Sequence, residues 1–183
     1  MATAPSAWIA EHTGLIAKGG AVLDLACGSG RHTRLLLERG HPMTAIDRDI
    51  GRLADLLGHE NLTARAVDLE DGSAWPFPGP WFDGIVVTNY LHRPLFPAIV
   101  ATLAPGGVLL YETFARGNER FGRPRNPDHL LAEGELLRMV AGHLHVIAYQ
   151  HGEVSAPRRA VVQRICAARS TDDRTSPAYR LRG

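Results

Sequence analysis

Residues 22–33, VLDLACGSGRHT, place an apolar run too short for a helix directly before Gly28 and Gly30, and a leucine-rich run over 31–38 directly after them. This order predicts a strand, a tight glycine turn and a helix. Glycine lets backbone approach a ligand closely, and the free N–H groups that open the helix face whatever lies over the turn. The turn therefore predicts a small ligand that carries a carboxylate or a phosphate. With 183 residues, 45% of them hydrophobic and 21% charged, the chain holds enough apolar material for one globular domain.

The remaining pattern repeats the opening unit. A short strand over 42–46 runs into Asp47-Arg48-Asp49, and residues 51–58 carry Leu53, Leu56 and Leu57 at helical spacing. Residues 62–67 alternate as a third strand, closed by Asp68. The proline and glycine loop over 71–80 cannot hold a helix. A buried-type strand over 84–87 ends in Thr88-Asn89-Tyr90, and Pro94 opens a helix with Leu95, Ile99 and Leu103 on one face. Pro105-Gly106-Gly107 turns the chain into a fifth strand over 108–111, which a polar, arginine-rich segment over 113–129 follows. A helix over 133–140, capped by Gly142, and strands over 145–149 and 160–165 complete the pattern. Strand and helix alternation makes this an α/β chain with parallel pairing and crossover helices. The expected division is an N-terminal segment over 1–19, with its first eight residues loose and a short helix over 10–18, a domain over 20–167, and a disordered tail over 168–183.

The formal net charge of +1 supplies no global basic field, so nucleic acid is possible but not favoured as a partner. Cys27 and Cys166 lie too far apart in sequence to suggest a disulfide scaffold, and Cys27 reads as a small residue fitted to the turn ahead of a nucleophile. No apolar run is long enough to cross a bilayer and none resembles a leader, so the expected location is cytoplasmic with no membrane partner. Oligomeric state is left unassigned.

In an open parallel sheet, ligands bind beyond the carboxyl ends of the strands where strand order reverses. That rule selects residues 24–30, Asp47 and Arg48, Asp68 and Leu69, residues 88–92, and Glu112 onward. The Asp47 carboxylate suits a vicinal diol such as a ribose, and Asp68 can accept from an adenine amino group. The ligand these positions describe is a nucleoside with a charged arm.

VLDLACGSG, AID, VDL, FDGIVVTNYL and LAPGGVLLYET, in that order, resemble the successive motifs of class I S-adenosylmethionine-dependent methyltransferases over roughly residues 20–150. The segment ETFARGNERFGRPRNPDHLL resembles small bacterial methyltransferases of the tellurite-resistance type. The resemblance implies a Rossmann-like, doubly wound sheet of seven strands, the last antiparallel, with helices on both faces. It implies S-adenosyl-L-methionine as cofactor, with Asp24, Ala26, Gly28 and Gly30 around its methionine moiety and Asp47 at the ribose. Asp68 and Leu69 would flank the adenine, Arg48 would stack on it, and Asn89 would sit near the amino-acid end.

Methyl transfer is an in-line displacement, so the protein must align a nucleophile, exclude water and take a proton where the nucleophile carries one. His92 is the candidate general base, against a loop histidine that bonds locally. Tyr90 either faces the sulfonium as a cation-π partner or packs on the pocket wall. Arg116 and Arg120 are candidates to bind an anionic small-molecule substrate, against solvated arginines paired with Glu119 and Asp128. Trp75, Phe77 and Trp81 either wall the adenine or pack in the core. His32 reads as a packing or capping residue, and His143 and His145 lack a third metal ligand nearby. The competing readings are an RNA or protein methyltransferase, a catalytically inactive cofactor-binding module, and a nicotinamide oxidoreductase. The last lacks the third glycine or alanine of the dinucleotide fingerprint, where Thr33 stands.

Overall fold

The computed structural model describes residues 4–171. Among them one sheet runs in the order β3-β2-β1-β4-β5-β7-β6. Its strands are β1 at Val22–Leu25, β2 at Met43–Asp47, β3 at Leu62–Ala66, β4 at Phe82–Thr88, β5 at Leu103–Phe114, β6 at His145–Val154 and β7 at Ala160–Ala168. The first five strands pair in parallel, and β7 lies antiparallel to both β5 and β6. The chain builds outward through β2 and β3, returns to the other side of β1 at β4, and builds the opposite way. The β1/β4 boundary is thus the switch point at which such sheets open a crevice.

Alternation along the strands splits the apolar residues into two cores. Leu23, Leu25, Ile85, Val87, Leu109 and Tyr111 belong to one, together with Phe96 and Ile99 of α3 (Phe96–Thr102) and Leu136 and Val140 of α4 (Glu135–Val140). Val22, Val86, Val108 and Leu110 belong to the other, where α1 (Ala7–His12) and α2 (Arg31–Glu38) contribute Trp8, Ile9 and Leu36.

The helix α2 has the bounds its leucine pattern predicts. The N-terminus differs: α1 starts at Ala7 because the Ser6 hydroxyl caps the Ile9 N–H, and Trp8 is buried, so the stretch expected to be loose is packed from Ser6 onward. Residues 51–58 form no α-helix. Asp49 caps a 3-10 turn at Ile50–Leu53, and of the three leucines only Leu53 is fully buried. A run bracketed by Gly51 and Gly58 is too short to offset helix nucleation with a single packed side chain. The ordered C-terminal end also extends past the expected boundary, because the Arg169 guanidinium donates to the Leu103 carbonyl at 2.6 Å. The rest of the expected tail, 172–183, lies outside the described residues.

Candidate active site

A cavity of about 580 Å3 opens at the carboxyl ends of the strands around the switch point. Asp47, at the end of β2, forms its floor beside the glycine turn. Asp47 Oδ2 accepts from the Gly28 N–H at 2.9 Å and Oδ1 from the Asp49 N–H at 3.1 Å. Each oxygen keeps lone-pair capacity for a further donor, so the turn fixes the carboxylate without exhausting it. Two non-glycine residues on the cavity wall adopt left-handed backbone, Ala26 after β1 with φ 53° and Asn89 after β4 with φ 54°. Asparagine tolerates that region and alanine does not, so the strain at Ala26 is imposed by its surroundings.

Asp24 lies inside β1 and is 1% exposed. Its Oδ2 accepts from the Thr33 hydroxyl at 2.6 Å, while Oδ1 is buried with no hydrogen-bond partner among the described residues. Burial pushes its pKa up to about 6, against the opposing pull of the Thr33 hydrogen bonds and the Arg31 charge. A buried carboxylate with one oxygen unmet is a receptor for a cationic donor.

The wall beyond Asp47 is acidic. Asp68 and Glu70 line it, with Arg48 as the single cation on that side, and Asp68 Oδ1 accepts from the Glu70 N–H at 2.9 Å. The Tyr90 hydroxyl is buried without a hydrogen-bond partner among the described residues. Burial first, then the carboxylates of Glu70, Asp68 and Asp47, raise its pKa above the ordinary phenol value, so it stays protonated at neutral pH. Cys27 is equally unreactive, its thiol pushed up by burial and by the Asp24 and Asp47 charges.

At the other end the cavity is bounded by Leu91, Thr113, Phe114, Pro124 and His129. His129 sits on a 3-10 turn, Pro127–His129, whose N-cap Asn126 accepts from the Asp128 N–H at 3.0 Å. Sequence reasoning passed over both Glu70 and His129. Glu70 follows an acid already assigned, and the position of His129 depends on how the long segment after β5 folds back.

The structure brings Ala26, Asp47, Arg48, Asp68, Leu69, Asn89 and Tyr90 together on this cavity, with Gly28 tied to it through Asp47. Asp24, Gly30, His92, Arg116 and Arg120 are not among its lining residues; Asp24 is buried in β1 two residues before Ala26, which does line it. Arg120 turns back on its own loop, donating from Nε to the Gly117 carbonyl at 3.1 Å and lying over Phe121. Glu119 accepts from the Gly117 N–H at 2.7 Å, and among the described residues neither Glu119 nor Asp128 forms a side-chain ion pair with the loop arginines. His32 is buried, accepts the Ser6 N–H on Nε2 at 3.1 Å and is pushed down to about 3 by burial and then by Arg31, so it is neutral and structural.

Of the two readings of Trp75, Phe77 and Trp81, the adenine wall is the one the structure does not support. Trp75 donates from Nε1 to the Thr102 hydroxyl at 2.8 Å, Phe77 packs edge-on against Phe82, and Trp81 is 60% exposed. None of the three lines the cavity. Trp81→Ala is accordingly expected to leave S-adenosylhomocysteine affinity within about twofold by isothermal titration. A loss of tenfold or more would put the adenine on that side of the molecule.

Comparison with known proteins agrees with this geometry. A family model described as a methyltransferase domain matches residues 22–107. The trans-aconitate 2-methyltransferase of Delftia acidovorans is 36% identical over 103 residues, which cover 51% of this chain and 38% of that protein. The malonyl-[acyl-carrier protein] O-methyltransferase of Serratia marcescens is 30% identical over 138 residues, 72% of this chain and 48% of that protein. The chain thus spans less than half the length of either relative. Among solved structures, TehB from Haemophilus influenzae superposes with a TM-score of 0.75 at 20% identity, covering 92% of this chain and 64% of that one. A Burkholderia thailandensis 1,6-didemethyltoxoflavin-N1-methyltransferase, solved with S-adenosylhomocysteine, superposes with a TM-score of 0.66 at 22% identity, covering 89% and 76%. Among the described residues no helix is long and apolar enough to cross a membrane. The family model thus identifies residues 22–107 as a methyltransferase domain, and the seven-stranded sheet with its switch-point cavity has the fold of class I S-adenosylmethionine-dependent methyltransferases.

Proposed function

We propose that the chain transfers a methyl group from S-adenosylmethionine to a small, anionic acceptor. The observation that carries this reading is the cavity at the β1/β4 switch point, acidic on the Asp47, Asp68 and Glu70 side and bounded on the other by His129 and the segment after β5. The donor is a cation with a ribose and an adenine, and the residues present fit it. Asp24 offers its unmet carboxylate oxygen to the ammonium group, Asp47 its spare lone pairs to the ribose hydroxyls, and Asp68, Leu69 and Arg48 flank the base.

When bound, the donor supplies a methyl group already activated by its sulfonium. What remains for the protein is alignment and exclusion of water. Tyr90, held protonated with its hydroxyl buried, lines the site as a neutral ring and takes no proton. A carboxylate acceptor needs none removed, because it is a nucleophile in its ionised form at neutral pH. Trans-aconitate and a malonyl group, the acceptors in the names of the two sequence relatives, both carry carboxylates. The test is titration of S-adenosylhomocysteine into the protein, followed by S-adenosylhomocysteine release from S-adenosylmethionine with trans-aconitate and other small carboxylates. We expect saturable binding at one site per chain and turnover with a carboxylate. Binding without turnover on any acceptor would leave a cofactor-binding module in place of an enzyme.

The Asp24 carboxyl gives this reading a pH signature. In the free protein Asp24 takes up a proton below about pH 6, whereas an ammonium partner favours its ionised form, so binding at low pH must release that proton. Affinity for S-adenosylhomocysteine is expected to be about tenfold weaker at pH 5 than at pH 7. In Asp24→Asn this component disappears, together with much of the affinity at pH 7. An unaltered slope in that variant would assign the ammonium elsewhere.

A further inference from the structure

Arg93, in the turn after β4, reaches across to the segment that follows β5. Its Nη1 donates to the Asp128 carbonyl at 2.6 Å and its Nη2 to the Leu130 carbonyl at 3.1 Å, the two carbonyls on either side of His129. Nε and Nη2 also grip the Glu135 carboxylate at 2.6 and 3.1 Å. Glu135 Oε2 in turn accepts from the Ala132 N–H at 2.7 Å. Burial alone would raise the Glu135 carboxyl, but the Arg93 hydrogen bonds, the Ala132 N–H and the charges of Arg93 and Arg138 outweigh it and hold the group below its ordinary value. Leu131 anchors the same stretch to the end of β5, donating to the Phe114 carbonyl at 3.0 Å while its own carbonyl accepts from the Arg116 N–H at 2.9 Å. A fork of this kind, planar and bonded on three sides, fixes backbone far more firmly than an ordinary surface ion pair.

What it fixes is a histidine on the cavity wall. Of the residues that bound the end opposite Asp47, His129 is the one with an ionisable side chain. Two arginines of the β6–β7 connection also reach this side, Arg159 while paired with Glu153 at 2.6 Å. Arg158 lies over the ring of Phe114, itself a wall residue, and donates to the Arg123 carbonyl at 3.2 Å, and Arg159 lies over Phe121. Resting on the methyltransferase reading above, we infer that His129 receives a carboxylate of the acceptor and so determines acceptor specificity, and that Arg93 is the positioning residue that holds His129 at the cavity. The loop arginines then shape the field around the site, and acceptor contact passes to a residue that the fork preorganises.

The experiment is titration of trans-aconitate into the chain saturated with S-adenosylhomocysteine, for wild type, His129→Ala, Arg93→Ala, Arg93→Lys and the Arg93→Ala/His129→Ala double variant. Wild type is expected to bind. His129→Ala should lower trans-aconitate affinity at least tenfold while S-adenosylhomocysteine affinity stays within twofold, which also reports that the variant is folded. Arg93→Lys keeps the charge but cannot hold two carbonyls and a carboxylate together, so it should lose nearly as much as Arg93→Ala. Because Arg93 acts through His129, the double variant should be no weaker than His129→Ala alone. Undiminished affinity in His129→Ala, or losses that simply add in the double variant, overturn the assignment. Normal S-adenosylhomocysteine binding with no trans-aconitate binding in wild type overturns the carboxylate specificity alone. Failure of wild type to bind S-adenosylhomocysteine overturns the donor reading beneath it.

Discussion

Asp47→Ala lowers S-adenosylhomocysteine affinity by about a hundredfold, the expected result if this carboxylate receives the ribose. Two hydrogen bonds to a charged acceptor contribute on the order of 1.5–3 kcal/mol each, and each 1.4 kcal/mol is tenfold in affinity. Losing the pair therefore costs about two decades or more, softened by water that re-enters an open site. The same substitution strips the Gly28 and Asp49 N–H groups of their acceptor, so the turn keeps only its main-chain tie to β2, from the Cys27 N–H to the Ile46 carbonyl at 3.0 Å. Asp47→Asn separates the two contributions. Its amide oxygen can still accept from Gly28 but carries no charge, and an intermediate loss of about tenfold is expected. Titration calorimetry reads the affinities, and thermal unfolding shows how much of each loss is local collapse. Affinity within threefold of wild type in Asp47→Ala would sink the ribose assignment.

Why Asp47 was legible in sequence and His129 was not is a matter of distance along the chain. The Asp47 position follows from a short strand over 42–46 that runs directly into an acid and from the rule that strand ends face the ligand, both local facts. Ala26, Asp68 and Asn89 follow in the same way, since each lies just beyond a strand whose pattern is local, and Asp24 is the one acid inside the apolar run of β1. The cores are legible for the same reason: alternation in β4 and β5 assigns Ile85 and Val87 to one face and Val86 to the other without knowledge of any partner. The segment after β5 obeys no such rule. Its path is set by Arg93, which lies far back in sequence and bonds main-chain carbonyls, groups that every residue carries and no motif records. The charge count of that segment draws attention to Arg116 and Arg120, while its geometry presents His129. The aromatic loop misleads in a related way, because Trp75 finds its partner in the Thr102 hydroxyl of α3, and neither residue lines the cavity. Likewise Ser6 converts a stretch of low-complexity appearance into a capped helix end by meeting Ile9, His32 and Glu112 at once.

The glycine turn itself carries the second large effect. Gly30 stands at the N-cap of α2 with φ 71°, and a Cβ there would come within 2.3 Å of the Leu53 side chain. Leu53 is fully buried and packs with Cys27 and Ala45 beneath the turn, so it can yield only by disturbing that small core. A left-handed alanine costs roughly 1–2 kcal/mol and overpacking another 1–3. Gly30→Ala is therefore expected to destabilise the fold by about 3 kcal/mol, a fall of roughly 10 °C in melting temperature for a chain of this size. Gly28→Ala is the control. Its φ of 56° imposes the same backbone strain, but its Cβ would meet no atom within 4 Å, so it should lose only about 1–2 kcal/mol. The difference between the two variants measures the packing of Leu53 under the turn, and equal losses would show that the turn is held by backbone conformation alone. Because Gly30 also accepts the Arg34 N–H and donates to the Cys27 carbonyl, its displacement moves the start of α2, Thr33 included. Thr33 in turn donates its hydroxyl to the Asp24 carboxylate, so Gly30→Ala should weaken S-adenosylhomocysteine binding beyond what the loss of stability alone produces.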